Sequence, residues 1–170
     1  GSIFFYADST AGTADVTSTG PMSFYGDSSA DQAEIVNQGG LSFFEDAVAG
    51  TATINNGASG TIEFDDHASA DAATINNSGA VIFRTQADGG TAKLTNLAAT
   101  ADIDISDINS GLFQTGSVAG SGFVSLGGTQ LWVGVGGDNP DMVFSGTIRD
   151  GGTGGGTGGS LVKDGTGTMV

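Results

Sequence analysis

The sequence predicts an all-β chain wound as a parallel β-helix, or β-solenoid, of about eight coils. Three observations carry that expectation. A phenylalanine returns at Phe5, Phe24, Phe43, Phe64 and Phe83, at intervals of 19, 19, 21 and 19 residues. Other columns keep register with it: Ile3, Met22, Leu41, Ile62 and Val81 two places earlier, alanine nine places later (Ala14, Ala33, Ala52, Ala73, Ala92), and Val16, Ile35, Ile54, Ile75 and Leu94 eleven places later. Within each copy the apolar residues fall two apart, the period of a strand, and no 3.6-residue period of a helix is present.

A unit of about 19 residues is too short to fold alone and too short for a four-stranded propeller blade, but it suits one coil of a solenoid. Each copy reads as two short strands joined by small, Gly- or Asp-containing corners such as Ala49-Gly50 and Gly89-Gly90. Coils laid on one another rise by one strand spacing, roughly 4.8 Å. The Phe column then becomes an aromatic stack and the Ala column a tight wall. Thirteen places after each Phe stand Ser18, Asn37, Asn56, Asn77 and Asn96; stacked amides of this kind bond from coil to coil, and Asn tolerates the left-handed backbone of sharp corners. A polar stripe open to a ligand is the alternative reading of that column.

Regular coils of 19–21 residues cover 3–101. In Asp102–Ile108 the isoleucines are expected to face inward and the acids outward. Gly-punctuated apolar segments follow at 122–128, 131–135 and 142–148, then a Gly-rich stretch at 151–159 read as a flexible surface loop. With three further, less regular coils in 102–170, residues 1–170 form a single domain, a rod on the order of 40 Å long by the strand spacing.

Composition excludes several classes. Nineteen acids stand against four basic residues, Arg84, Lys93, Arg149 and Lys163, for a net charge of −15. Nucleic-acid binding needs the opposite balance, as does adsorption to anionic membranes. Hydrophobic residues make up 38 % of the chain, ten of them Phe, which separates it from disordered acidic tails. No cysteine is present, so there is no disulfide, thiolate site or Cys nucleophile. No apolar run is long enough to span a bilayer, and no signal peptide is recognisable at the N-terminus.

No catalytic, cofactor-binding or metal-ligating residue is assigned. The one histidine, His67, lies in Asp65-Asp66-His67-Ala68-Ser69, but neighbours on a strand face opposite ways and no nucleophile elbow is present. His67 shares its column with Asp8, Asp27, Asp46 and Gln86, which makes it an exposed corner residue. Glycan-cleaving β-helices need acids converging on a groove, usually with a basic partner; here the acids are spread along the rod. The Asp8, Asp27 and Asp46 column (Asp66 falling one place early), the Asp102, Asp104 and Asp107 group and the Asp138-Asn139-Pro140-Asp141 turn leave Ca²⁺ open as an alternative to solvated acidic turns. No known calcium loop fits, since an EF-hand starting at Asp102 would need Gly at Asp107 and Glu at Phe113. The Gly-rich stretch has no GK[ST] and opens no helix, so it is no phosphate cradle, and the irregular outward columns lack the flat Thr array of an ice-binding face.

The C-terminal part carries a resemblance. "SGTI" at 145–148, the Gly-rich linker and "GGSLVKDGTGTMV" at 158–170 resemble the autotransporter-associated β-strand repeat of passenger domains in Gram-negative type V secretion. "VAGSGFVSLGGTQLWVG" at 118–134 is similar to the segment that precedes it in relatives, and "AGTATINNG" (49–57) and "ADAATINNSG" (70–79) resemble repeats of the same passengers. The resemblance implies a right-handed coil and an extracellular or cell-surface location after export through the outer membrane. Lacking translocator barrel and signal, the chain is expected to be a fragment of something longer. The expected function is that of a non-catalytic stalk or adhesive segment meeting surface molecules or glycans of host or neighbouring cells, without inserting into a membrane. The alternatives are a passenger acting on glycans or esters, and a solenoid that associates end to end into filaments.

Overall fold

The computed structural model describes residues 1–136 and 141–170, and there the chain is all β. Coil by coil the strands are β1 (Ile3–Phe5) and β2 (Asp15–Ser18); β3 (Met22–Phe24) and β4 (Glu34–Asn37); β5 (Gly40–Phe43) and β6 (Thr53–Asn56); β7 (Thr61–Phe64) and β8 (Thr74–Asn77); β9 (Ala80–Thr85) and β10 (Lys93–Asn96). The later coils hold β11 (Asp102–Ile108), β12 (Leu112–Thr115) and β13 (Ser117–Gly120); β14 (Phe123–Ser125) and β15 (Gln130–Val133); β16 (Thr147–Arg149) and β17 (Ser160–Lys163). They stack into an eight-stranded sheet, β1-β3-β5-β7-β9-β11-β14-β16, a six-stranded sheet, β13-β10-β8-β6-β4-β2, and a three-stranded sheet, β12-β15-β17. Every pairing is parallel. The fold is therefore a parallel β-solenoid, its eight stacked strands enclosing about seven turns.

Ladder register follows the sequence columns residue for residue. Phe5 pairs with Phe24, Phe24 with Phe43, Phe43 with Phe64 and Phe64 with Phe83. Their rings stack with centroids 4.4, 4.8, 4.7 and 4.8 Å apart and planes within 7° of parallel. The other sheet aligns Val16, Ile35, Ile54, Ile75 and Leu94 in the same way. A third, short face consists of single bridges joining Thr10, Ser29, Val48, Ser69 and Asp88. Its inward residues are small, among them Ser28, Ala30, Ala47, Ala49, Ala68 and Ala70, all fully buried. Large rings on one face and methyl groups on the short face share a narrow, fully buried cross-section.

Two further columns make the corners. The residue two places after each core Phe (Ala7, Gly26, Glu45, Asp66, Thr85) has φ between +53° and +68°, and the residue seven places after (Gly12, Asp31, Gly50, Asp71, Gly90) lies between +50° and +63°. A left-handed residue turns the chain sharply, and at the second corner it shifts the strand alternation by one, so that the inward positions change from even to odd offsets from the Phe. Only one glycine occupies the first corner, so the other four coils hold a strained conformation that stacking enforces. At the third corner the expected amide ladder is present. Asn37 Nδ2 donates to Asn56 Oδ1, Asn56 to Asn77 and Asn77 to Asn96, each at 2.8 Å. The four side chains are buried, so this column is an internal seam and not an open stripe.

The regularity breaks at the sixth coil. A β-bulge between Asp104 and Asp107 sets Ile105 and Ser106 against the single residue Phe83 of β9. Ile105 enters the core in place of a Phe, and Phe113 from the next face packs on Phe83 at 4.5 Å with its ring tilted by 55°. The aliphatic column continues through Ile103, Val124 and Ile148. The amide ladder ends where Gly120 follows Asn96 in register.

Candidate functional site

The outer face of the eight-stranded sheet carries Asp102, Asp104 and Asp107, the acidic group that sequence left open, together with Arg84 and Arg149. The bulge places Asp104 on that face, outward as expected, yet it is only 5 % exposed. The Gly-rich stretch covers it. Thr153 donates from both its N–H and its Oγ1 to Asp104 Oδ2 at 2.6 Å, and Ser106 donates from N–H at 2.9 Å and Oγ at 2.6 Å to Oδ1. Gly154 N–H adds a bond to Ser106 Oγ at 2.9 Å. Residues 151–159, read from sequence as a flexible surface loop, are a strap that these bonds tie to the sheet. Its turns are closed by Gly151 N–H to Gly156 O and Gly155 N–H to Gly152 O, both 3.1 Å, and by the N–H groups of Gly158 and Gly159 on the Asp150 carboxylate. Gly152, at φ +114°, is required there, because a Cβ would lie 2.5 Å from Asp104 Oδ1.

Burial alone would raise the pKa of Asp104, but the donors of Ser106 and Thr153 outweigh it and hold the carboxyl below its ordinary value. Asp102, two residues earlier, goes the other way. Burial raises it, and the hydrogen bonds from Ser125 (3.0 and 3.1 Å) and the Arg149 guanidinium (3.0 Å) offset this only in part. Arg149 also lies over the Phe123 ring, 4.0 Å from its centroid. Arg84 bridges Glu63 of the preceding coil at 2.5 Å and Asp107 of the next at 3.0 Å. Each of these acids therefore ties coils together through protein donors, and sets the local order of the rod.

The other candidates are not brought together. Asp8, Asp27, Asp46 and His67 line one exposed corner column as expected. Ser69 Oγ accepts from Asp71 N–H at 2.9 Å and donates to Asp88 at 3.4 Å, inside the next corner, so no Ser–His pair forms. Asp66 instead accepts from the Glu45 N–H across the coil boundary. Asp138, Asn139 and Pro140 lie outside the described residues, and Asp141 accepts from Thr168 N–H at 2.8 Å. Among the described residues no three carboxylates or imidazoles converge as a metal site would need. The cleft of about 340 Å³ beside Gln86, Asp88, Ser110, Leu112 and Gln114 holds a single acid and no base.

One feature of the same face escaped the sequence reading. Tyr6, Tyr25 and Phe44 each follow a core Phe directly and so point outward. Their rings form a second ladder, with centroids 5.3 and 5.1 Å apart and planes 12° and 16° from parallel, and Phe4 stands beside Tyr6 at 6.1 Å. The repetition of an aromatic pair at 19-residue spacing was the signal available for it.

Fold and surface together define an acidic β-solenoid rod. Comparison of the chain with protein-family models, with curated proteins and with solved structures finds no match.

Proposed function

We propose that the chain is a non-catalytic extracellular segment of a bacterial surface or secreted protein of the autotransporter kind, serving as a rigid stalk or interaction surface. The observation that carries this reading is the continuous core: the aliphatic column runs through every coil, stacked rings and amides line it up to the fifth, and the arginines and buried acids cross-link the coils beyond. Such a body resists bending and holds its outer faces in a fixed array. The segment resembling the autotransporter repeat supplies β17, which pairs with β15 in register, Leu131 on Leu161. The acidic exterior suits a protein that stays dispersed outside the cell.

A second reading, a passenger acting on glycans or esters, rests on Asp102 and Asp104, neighbours whose pKa values are displaced in opposite directions as those of an acid–base pair are. It ranks second because both oxygens of Asp104 are occupied by protein donors. A glycan array run beside a panel of glycosidase and esterase substrates separates the two. The stalk or adhesin reading predicts binding without turnover; turnover abolished by Asp102→Asn would overturn it.

A further inference from the structure

We propose that the outward aromatic ladder Tyr6–Tyr25–Phe44, with the aspartate column beside it, is a docking strip for a lysine- or arginine-rich extended segment of a partner protein. This assigns a partner class to the interaction surface proposed above and rests on that reading only in taking the outer face as free.

Four large rings, Phe4 included, gather on one patch at the first three coils of this face. Phe4 is 50 % and Tyr6 60 % exposed, and Tyr25 and Phe44 are half-buried. Clustered exposed aromatics of this kind mark contact surfaces. The charge around them selects the occupant. Residues 1–83 hold eleven of the nineteen acids and none of the four Lys and Arg residues. Two residues beyond each ring of the ladder, past the corner, stands an exposed acid: Asp8, Asp27 and Asp46. Apolar strip and acid column thus run side by side along the rod, each repeating once per coil.

Lysine and arginine match that juxtaposition, because their methylene stems pack on apolar surface while the charged head reaches for an anion. A flat sugar does not match it as well. Tyr25 has both faces covered by Tyr6 and Phe44, so the ladder presents ring edges and hydroxyls where carbohydrate stacking needs a free face.

The test uses the intact chain and fluorescein-labelled decalysine, read by fluorescence anisotropy. Binding is expected at low salt, with loss as ionic strength rises from about 0.01 M to about 1 M and the screening length falls from ~30 to ~3 Å. Tyr6→Ser/Tyr25→Ser/Phe44→Ser is expected to weaken it by at least about tenfold. Asp8→Asn/Asp27→Asn/Asp46→Asn, which leaves every aromatic in place, is expected to weaken it to a similar degree. Asp15→Asn/Glu34→Asn on the outside of the six-stranded sheet serves as control and is expected to change it less than about twofold, since it removes net charge without touching the strip. Circular dichroism establishes that each variant is folded, and the aspartate variant decides the matter should the aromatic one not fold. No binding, equal weakening by the control, or indifference to the folded aromatic variant would each overturn the proposal. None of these results produces turnover, so the stalk reading fails or stands separately.

Discussion

Replacing Asn56 by leucine keeps the branching of the side chain but removes its buried amide, and so tests what the internal ladder contributes. Asn56 accepts from Asn37 Nδ2 at 2.8 Å, and its own Nδ2 donates to Asn77 Oδ1 at 2.8 Å, Gly60 O at 3.0 Å and Ala80 O at 3.1 Å. The partners keep some bonds: Asn77 Oδ1 still accepts from Gly79 N–H, and Asn37 Nδ2 still reaches the carbonyls of Gly39 and Thr61. At about 1 kcal/mol net per bond, with no orphaned charge, the loss comes to about 3–4 kcal/mol. Two coil interfaces are weakened at once, which matters in a body whose stability sums over neighbouring repeats. For a chain of this size a loss of 1 kcal/mol lowers Tm by about 2–4 °C, so a fall of about 6–16 °C is expected. Asn55→Leu is the matched control. Its side chain points outward and accepts one half-buried bond, from Asn76 Nδ2 at 2.9 Å, which gives a loss of about 0.5–1 kcal/mol. Thermal unfolding followed by circular dichroism, with calorimetry to test for a single transition, compares the two. Equal shifts, or a fall below about 2 °C for Asn56→Leu, would refute the assignment of this column to the interior.

Three other outcomes follow from named positions. Ala52→Asp places a carboxylate in a fully buried column and is expected to unfold several coils, whereas Asp15→Ala on the exposed face costs under about 0.5 kcal/mol; thermal melts distinguish them. Ser28→Ala removes a buried hydroxyl that has no hydrogen-bond partner and supplies the alanine found at Ala47, Ala68 and Ala87, so stability is expected to rise by about 1 kcal/mol in urea unfolding. The strap is expected to open in acid. The pKa of Asp104 is depressed in the fold, so its stabilisation is complete above the ordinary carboxylate value of about 3.9 and is lost as pH falls through the lower folded value. Hydrogen exchange at the Thr153 and Gly154 amides should accelerate over that window in the native chain, and show no such step in Asp104→Asn. Asp102 has the opposite sign, since its raised value makes its contribution complete at low pH and lost as pH rises through the folded value.

The parts of the fold that were legible are those that repeat. Five Phe positions at near-constant spacing set the pitch, and the Ala, Ile and Asn columns then fell into place, because a parallel ladder one coil deep allows no other register. The left-handed turns at the corners were legible only where Gly50 and Gly90 stand. Glu45, Asp66, Asp71 and Thr85 take the same left-handed conformation without the residue type that announces it, held there by the coils on either side. Asp104 could not be read as buried, because its cover is Thr153, 49 residues further on and inside a glycine tract that looks unstructured. The end of the Phe column was hidden for a similar reason. The ring that packs on Phe83 comes from Phe113 on another face, at a spacing no repeat predicts. The outward ladder was present in the sequence as Phe5-Tyr6, Phe24-Tyr25 and Phe43-Phe44, masked by the stronger column beside it.

The central claim is that each coil lies directly on the last, one strand spacing further along the rod. The chain has no cysteine, so nitroxide labels go only where cysteines are introduced. Thr53, Thr74 and Lys93 stack in one outward column with Asp15, through Glu34. Dipolar EPR on Asp15→Cys paired with Thr53→Cys, Thr74→Cys or Lys93→Cys measures the rise directly. Stacked coils predict backbone separations of about 10, 14 and 19 Å, a step of about 4.8 Å for each coil crossed; distances that do not grow with coil number, or that spread broadly, would contradict the solenoid.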